Sequence, residues 1–161
     1  MRRWEKGLWM IGGTLLGGFM LMQFIPIWEF VPTMDPRNPP VRYEIQWASD
    51  EADSIMRMVC YTCHSNETEY PIYAQIAPVS WIAAEHVNVG RQHLNFSEQP
   101  MDEISMGMLI SYIQSDAMPP AAYRLTHPEA NLSAAQKATL IDGIRATFNS
   151  QQSASLNFPA N

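Results

Sequence analysis

The chain's only two cysteines lie within one five-residue segment, Cys60-Tyr61-Thr62-Cys63-His64. Two intervening residues place the two sulfurs under the two vinyl groups of one porphyrin, while the adjacent imidazole faces the iron. The spacing therefore predicts a single covalently bound haem c, with Cys60 and Cys63 as thioether positions and His64 as proximal ligand. Two other uses of the same residues compete. A disulfide or thioredoxin-like dithiol has no need of the following histidine, and a zinc site wants two more Cys or His at ligand spacing.

The N-terminal segment Met1-Arg2-Arg3-Trp4-Glu5-Lys6 precedes an uncharged run over residues 7–28. At about 1.5 Å per residue, a helix of that length matches a bilayer core. The reading is a cytoplasmic N-terminus (1–6) and a transmembrane anchor (7–28), oriented by the basic flank before it and by Glu29 and Asp35 after it. This predicts a single-pass protein of the bacterial cytoplasmic (inner) membrane with a periplasmic haem domain. A cleaved secretory signal competes, but no Ala precedes Ala48 and Phe24-Ile25-Pro26-Ile27-Trp28 offers a peptidase no pair of small residues. Gly13 and Gly17 stand four apart, so one helix face is nearly bare and suits close approach of another membrane subunit.

Five of the twelve prolines fall between Pro26 and Pro40, which marks residues 29–40 as a stiff, extended spacer. Residues 41–148 read as one small haem domain and 149–161 as a polar tail. Within the domain the pattern is all-α. Ser49 can cap a helix whose first turn holds Asp50, Glu51 and Asp53, and that helix delivers the cysteine motif. Pro78 suits a helix start ahead of Val79, Ile82, Ala83 and His86 on one face. Ile104, Met108, Tyr112 and Ile113 mark a third helix, stopped by Met118-Pro119-Pro120. Ser133 with Gln136 forms a capping box before Leu140, Ile144 and Phe148.

An iron that only moves electrons needs a sixth ligand. Met118, in a loop held extended by two prolines after a helix that can turn the chain back, is the choice for the distal position. His86, His93 and His127 are alternatives. A ligating histidine donates its other nitrogen to a fixed acceptor, and the Pro78 carbonyl is a candidate. Trp81, Tyr73 and Tyr123 are candidate walls of the haem pocket.

Several further segments carry a resemblance. They are Cys60 to Thr68 with Pro71-Ile72-Tyr73, Ile76-Ala77-Pro78-Val79-Ser80-Trp81, Gly90-Arg91, Leu94-Asn95-Phe96-Ser97-Glu98, Met118-Pro119 and His127 to Ser133. Taken in this order, the chain resembles the bacterial haem-binding-domain family of membrane-anchored monohaem cytochromes c. The resemblance implies an all-α, cytochrome-c-like fold, attachment at Cys60 and Cys63, His64 as proximal and Met118 as distal ligand. The family often has an aromatic where Ile72 and Gln99 stand, so packing is expected to differ at those points.

Only one acid and three basic residues precede Glu29, so the remainder carries 15 Asp and Glu against 7 Lys and Arg. Such an acidic domain disfavours nucleic acid and favours a redox partner with a basic docking surface. The function expected is electron carriage rather than enzymatic turnover, by outer-sphere transfer within a respiratory or photosynthetic complex. The alternatives are a haem enzyme or gas sensor with an open sixth position, or an accessory subunit with a structural haem.

Overall fold

In the computed structural model, which describes residues 3–157, the helices are α1 (Arg3–Met22), α2 (Asp50–Met56), α3 (Thr62–His64), α4 (Val79–His93), α5 (Met106–Gln114), α6 (Ala121–Thr126) and α7 (Ala134–Asn157). No strand occurs among the described residues, as the all-α pattern predicts. The helix starts follow local chemistry. Ser49 Oγ accepts from the Ala52 N–H at 3.2 Å, with Asp50, Glu51 and Asp53 at the positive end of α2. Ser133 and Gln136 close their box in both directions, at 2.9 and 3.2 Å, ahead of α7. Ser105, not foreseen as a cap, serves α5 in the same way by accepting from Met108 N–H.

Contacts group the chain into two compact units, one of residues up to Arg37 with Tyr70–Val89, the other of Asn38–Glu69 with the chain from Gly90 onward. The segment 70–89, read from the sequence as part of the haem domain, thus clusters with the N-terminal residues. In this first unit Gln23 clamps Ala77, accepting its N–H at 2.9 Å and donating to its carbonyl at 3.1 Å. Asn88 donates to the carbonyls of Thr33 and Asp35. The spacer is extended only in part, because Ile27–Glu29 and Pro32–Met34 each form a 3-10 turn.

The expected anchor is corrected here: among the described residues no helix is long and apolar enough to cross a membrane. Glu5 and Lys6 occupy the start of α1, and the helix ends at Met22, before a turn and the 3-10 segment. The uncharged helical part, residues 7–22, spans about 24 Å, short of the ~30 Å hydrocarbon layer. The single-pass inner-membrane location, with its cytoplasmic N-terminus and periplasmic haem domain, falls with it. A Cβ added at Gly13 or Gly17 would meet nothing within 4 Å. Met1 and Arg2, in the segment read as cytoplasmic, lie outside the described residues.

The second unit is built on contacts of α7 with α2 and α5. Leu140 and Ile144 of α7 are fully buried with Met56, Ile55, Ile113 and Phe96, and each such side chain removed from water contributes about 1.5–3 kcal/mol. Where α2 meets α7 the two backbones come close: a Cβ at Gly143 would stand 2.3 Å from Ala52 Cβ. Thr147, one turn on, is buried and accepts from the Ala48 N–H at 2.9 Å. Helix α7 continues to Asn157, so much of the segment read as a polar tail is helical; residues 158–161 lie outside the described residues.

Between α2 and α3 the chain forms a π-helical segment, Arg57–Tyr61. Such wide turns occur mostly at functional sites, and this one ends inside the cysteine motif. It sends Val59 and Tyr61 into the core while Cys60 and Cys63 remain half-buried. The last turn of α4 passes directly over that motif: a Cβ at Gly90 would lie 2.6 Å from the Cys63 carbonyl oxygen and 3.3 Å from Cys63 Cβ.

Two substitutions test these crossings. Gly143→Ala is expected to destabilise the fold by about 1–3 kcal/mol through overpacking, although alanine is the better helix former, and thermal unfolding followed by circular dichroism reads the sign. Gly90→Ala is expected to lower the unfolding midpoint as well, because the obstacle is the Cys63 backbone rather than a flexible side chain.

Candidate functional site

The motif turn is closed by the residues that follow it. Ser65 Oγ donates to the Tyr61 carbonyl at 2.7 Å, and Thr68 Oγ1 donates to the Thr62 carbonyl at 2.7 Å, satisfying helix-end acceptors that would otherwise be left over. Arg91 Nε donates to the Ser65 carbonyl at 2.7 Å, while its Nη2 reaches Thr68 Oγ1 and Asn38 Oδ1. Arg91 therefore ties the last turn of α4 to the loop leaving His64.

His64 itself is held by one decisive contact. Its Nδ1 lies 2.9 Å from the Leu94 carbonyl oxygen, and a carbonyl only accepts, so the proton sits on Nδ1 and Nε2 keeps its lone pair. That is the tautomer a metal-ligating imidazole requires. Burial, with a smaller contribution from His93, lowers the His64 pKa against backbone contacts to Leu94 and Gly90, which raise it; the ring is thereby favoured in its neutral form. The expectation for Pro78 is corrected: its carbonyl accepts from the Trp81 and Ile82 N–H groups at the start of α4, at 3.2 and 3.4 Å. A helix N-terminus already uses that oxygen.

Leu94 is positioned by a buried polar strap. Phe96 N–H donates to the His64 carbonyl at 2.8 Å. Asn95 Nδ2 donates to Asn66 Oδ1 at 2.8 Å, Asn66 N–H donates to Ser97 Oγ at 3.0 Å, and Asn66 Nδ2 donates to the Pro40 carbonyl and Glu98 Oε1. Asn66, Asn95 and Ser97 are all at most 5% exposed, so these polar groups serve packing. Gln99, one of the two positions where the resemblance implies an aromatic, accepts the Asn95 N–H at 2.9 Å. Ile72, the other departure, is exposed and has no such use. Phe96 fills the space beneath, edge-on to His64 at 6.4 Å and stacked on Tyr61 at 5.2 Å; Trp47 Nε1 donates to the Tyr61 hydroxyl at 3.1 Å.

The two thiols are free of one another, with no disulfide. Burial, helped by the neighbouring Cys63, pushes the Cys60 thiol up to about 12, and burial raises Cys63 too, opposed by Arg91. A dithiol redox centre needs a readily formed thiolate, so this environment argues against that use. Among the described residues no group of three or more His, Cys, Asp or Glu could hold a metal ion, which leaves the zinc reading without ligands. Free sulfurs at thioether spacing, beside an imidazole with an unprotonated Nε2, fit a haem.

The other predicted residues divide between the units. Tyr73, Pro78, Trp81 and His86 belong to the first unit. Trp81 lines a cavity of about 330 Å³ with Trp28 and Tyr70, Tyr73 is exposed, and His86 Nδ1 is bonded to the Ile82 carbonyl one turn back. His93 is exposed at the end of α4. In the second unit, Cys60 and Tyr123 both pack against the core cluster. His127 stacks on Tyr123 at 3.9 Å. The π segment touches the 3-10 turn Pro128–Ala130, and Ala130 lines a cavity of about 210 Å³ together with Met118, Ile113 and Leu132. Met118 is 40% exposed, and Met108 and Tyr112, one helical turn apart on α5, are exposed as well.

Sequence reasoning did not identify Leu94, Asn66, Asn95 or Arg91 as parts of the site. Main-chain acceptors leave no mark in side-chain identity; the available signal is that Asn66, Arg91, Leu94 and Asn95 all fall in segments that carry the family resemblance. No curated protein and no solved structure matches the chain. The family model described as haem-binding domain matches residues 17–146, a stretch that takes in the motif, Leu94 and Met118, and on that match the chain belongs to the haem-binding-domain family.

Proposed function

We propose that the protein is a monohaem c-type cytochrome that carries electrons by outer-sphere transfer, in a cytochrome-c-like arrangement of its second unit. The observation that carries this reading is the His64–Leu94 bond inside a Cys-x-x-Cys-His motif, because it prepares Nε2 for iron beside two unpaired sulfurs. Each cysteine sulfur would add to one vinyl group, with its hydrogen passing to the neighbouring vinyl carbon, so no oxidant or reductant is consumed. The bound group supplies a reversible one-electron couple. Cys60 and Cys63 would hold it, His64 would ligate it through Nε2, and the buried Phe96 and Tyr61 would keep water from that histidine.

Met118 is proposed as distal ligand. Its support is the loop after α5, which carries the side chain to a cavity lined by Ile113 and Ala130, two members of the core cluster against which Cys60 also packs. A thioether there raises the potential relative to a second imidazole and closes the iron to substrates, which makes the protein a carrier rather than an enzyme. Its acidic balance suits a redox partner with a basic docking surface, chiefly through association rate.

Ferrous protein is expected to bind carbon monoxide slowly and incompletely; fast stoichiometric binding would favour the gas-sensor or enzyme alternative. In the ferric Met118→Ala variant the Met-to-iron charge-transfer absorption should vanish and the midpoint potential should fall. An unchanged spectrum and potential would transfer the distal role to another residue, with His127 first to be replaced.

A further inference from the structure

Helix α5 ends without a glycine. Asp116 takes φ 58 and is the one non-glycine residue with positive φ among the described residues. Its N–H donates to the Ile113 carbonyl at 3.4 Å, the Ala117 N–H donates to the Tyr112 carbonyl at 3.1 Å, and the Met118 N–H reaches the same oxygen at 3.2 Å. This is the paired closure of a Schellman motif, whose left-handed position is normally glycine and sometimes asparagine. Backbone geometry alone would therefore select glycine, and it gives no reason for an aspartate.

The carboxylate gives one. Lys137 Nζ, from α7, donates to Asp116 Oδ1 at 2.5 Å, and Arg124 Nη1, from α6, lies 3.6 Å from the same oxygen. Arg124 Nη1 also donates to the Asp116 main-chain carbonyl at 3.2 Å. The two cations have side chains only 23% and 22% exposed, and they share this one carboxylate. All three residues line the cavity that Met118 and Pro119 also line. The carboxylate itself is 57% exposed, so taking it away would leave two partly buried cations without their common counter-charge, a loss that solvent screens in part.

We infer that Asp116 is a positioning residue for Met118: held by Lys137 and Arg124, it latches the loop so that the thioether is presented as distal ligand. This rests on the assignment of Met118 above. Asp116 acts by fixing where the next two residues go. The latch ties the Met118 loop to α7, the helix packed on α2, and α2 leads into the cysteine motif.

The test uses haem-loaded full-length protein and two variants that keep the left-handed backbone, Asp116→Asn and Asp116→Gly. Both are expected to weaken the ferric Met-to-iron charge-transfer absorption and to speed carbon monoxide binding to the ferrous form by about tenfold or more, the scale of a lost supporting contact. Lys137→Met, which leaves the loop sequence intact, should move both readouts in the same direction. Wild-type absorption and binding rate in all three variants, with the band lost in Met118→Ala, would overturn the latch while leaving the ligand assignment standing. A band that survives Met118→Ala would overturn both together.

Discussion

The bond from His64 Nδ1 to the Leu94 carbonyl governs the site, because it decides which ring nitrogen is available and where it points. A neutral imidazole can carry its proton on either nitrogen, and without a fixed acceptor both tautomers and several ring orientations compete. The acceptor here belongs to a loop, and a loop carbonyl is only as fixed as its surroundings. Asn66, Asn95 and Ser97 supply that fixation with hydrogen bonds buried from water, where an unsatisfied partner costs about 1–3 kcal/mol. The strap and the motif thus hold each other: Phe96 N–H returns to the His64 carbonyl, and the Phe96 ring packs beneath His64 and Tyr61.

Around that bond the helices act as a frame with two points of close approach. Gly143 admits Ala52 where α7 crosses α2, and Gly90 admits the Cys63 backbone beneath the last turn of α4. Arg91, next in the chain, turns the second approach into a set of hydrogen bonds with the loop leaving His64. Distal to the motif, the cluster of Asp116, Lys137 and Arg124 does for Met118 what the Asn–Ser strap does for His64. One is fixed by largely buried hydrogen bonds, the other by shared charge at a more exposed edge, which fits the greater exposure of Met118.

Much of this was legible in the residues. Helix starts at Ser49 and Ser133 carry their own chemistry in side chains, and the motif declares its spacing. Helix α6 was hidden by Pro119-Pro120, which reads as a stop yet also allows a new helix to begin directly after Pro120. The π segment leaves no pattern of its own. The uncharged run over 7–28 points to a membrane anchor but does not show where the helix stops: Met22 ends it, and Gln23 turns its amide to Ala77. A proline loop is a plausible acceptor for a ligating histidine, but the Pro78 oxygen serves the first turn of α4.

The central claim is that Cys60 and Cys63 hold one haem through carbon–sulfur bonds with His64 on the iron. Intact-mass analysis of the denatured protein after acid–acetone extraction and thiol alkylation tests it most directly. The account predicts a chain heavier by one haem, with neither cysteine alkylated. A chain of unmodified polypeptide mass plus two alkyl groups, with any haem recovered in the organic phase, would contradict it.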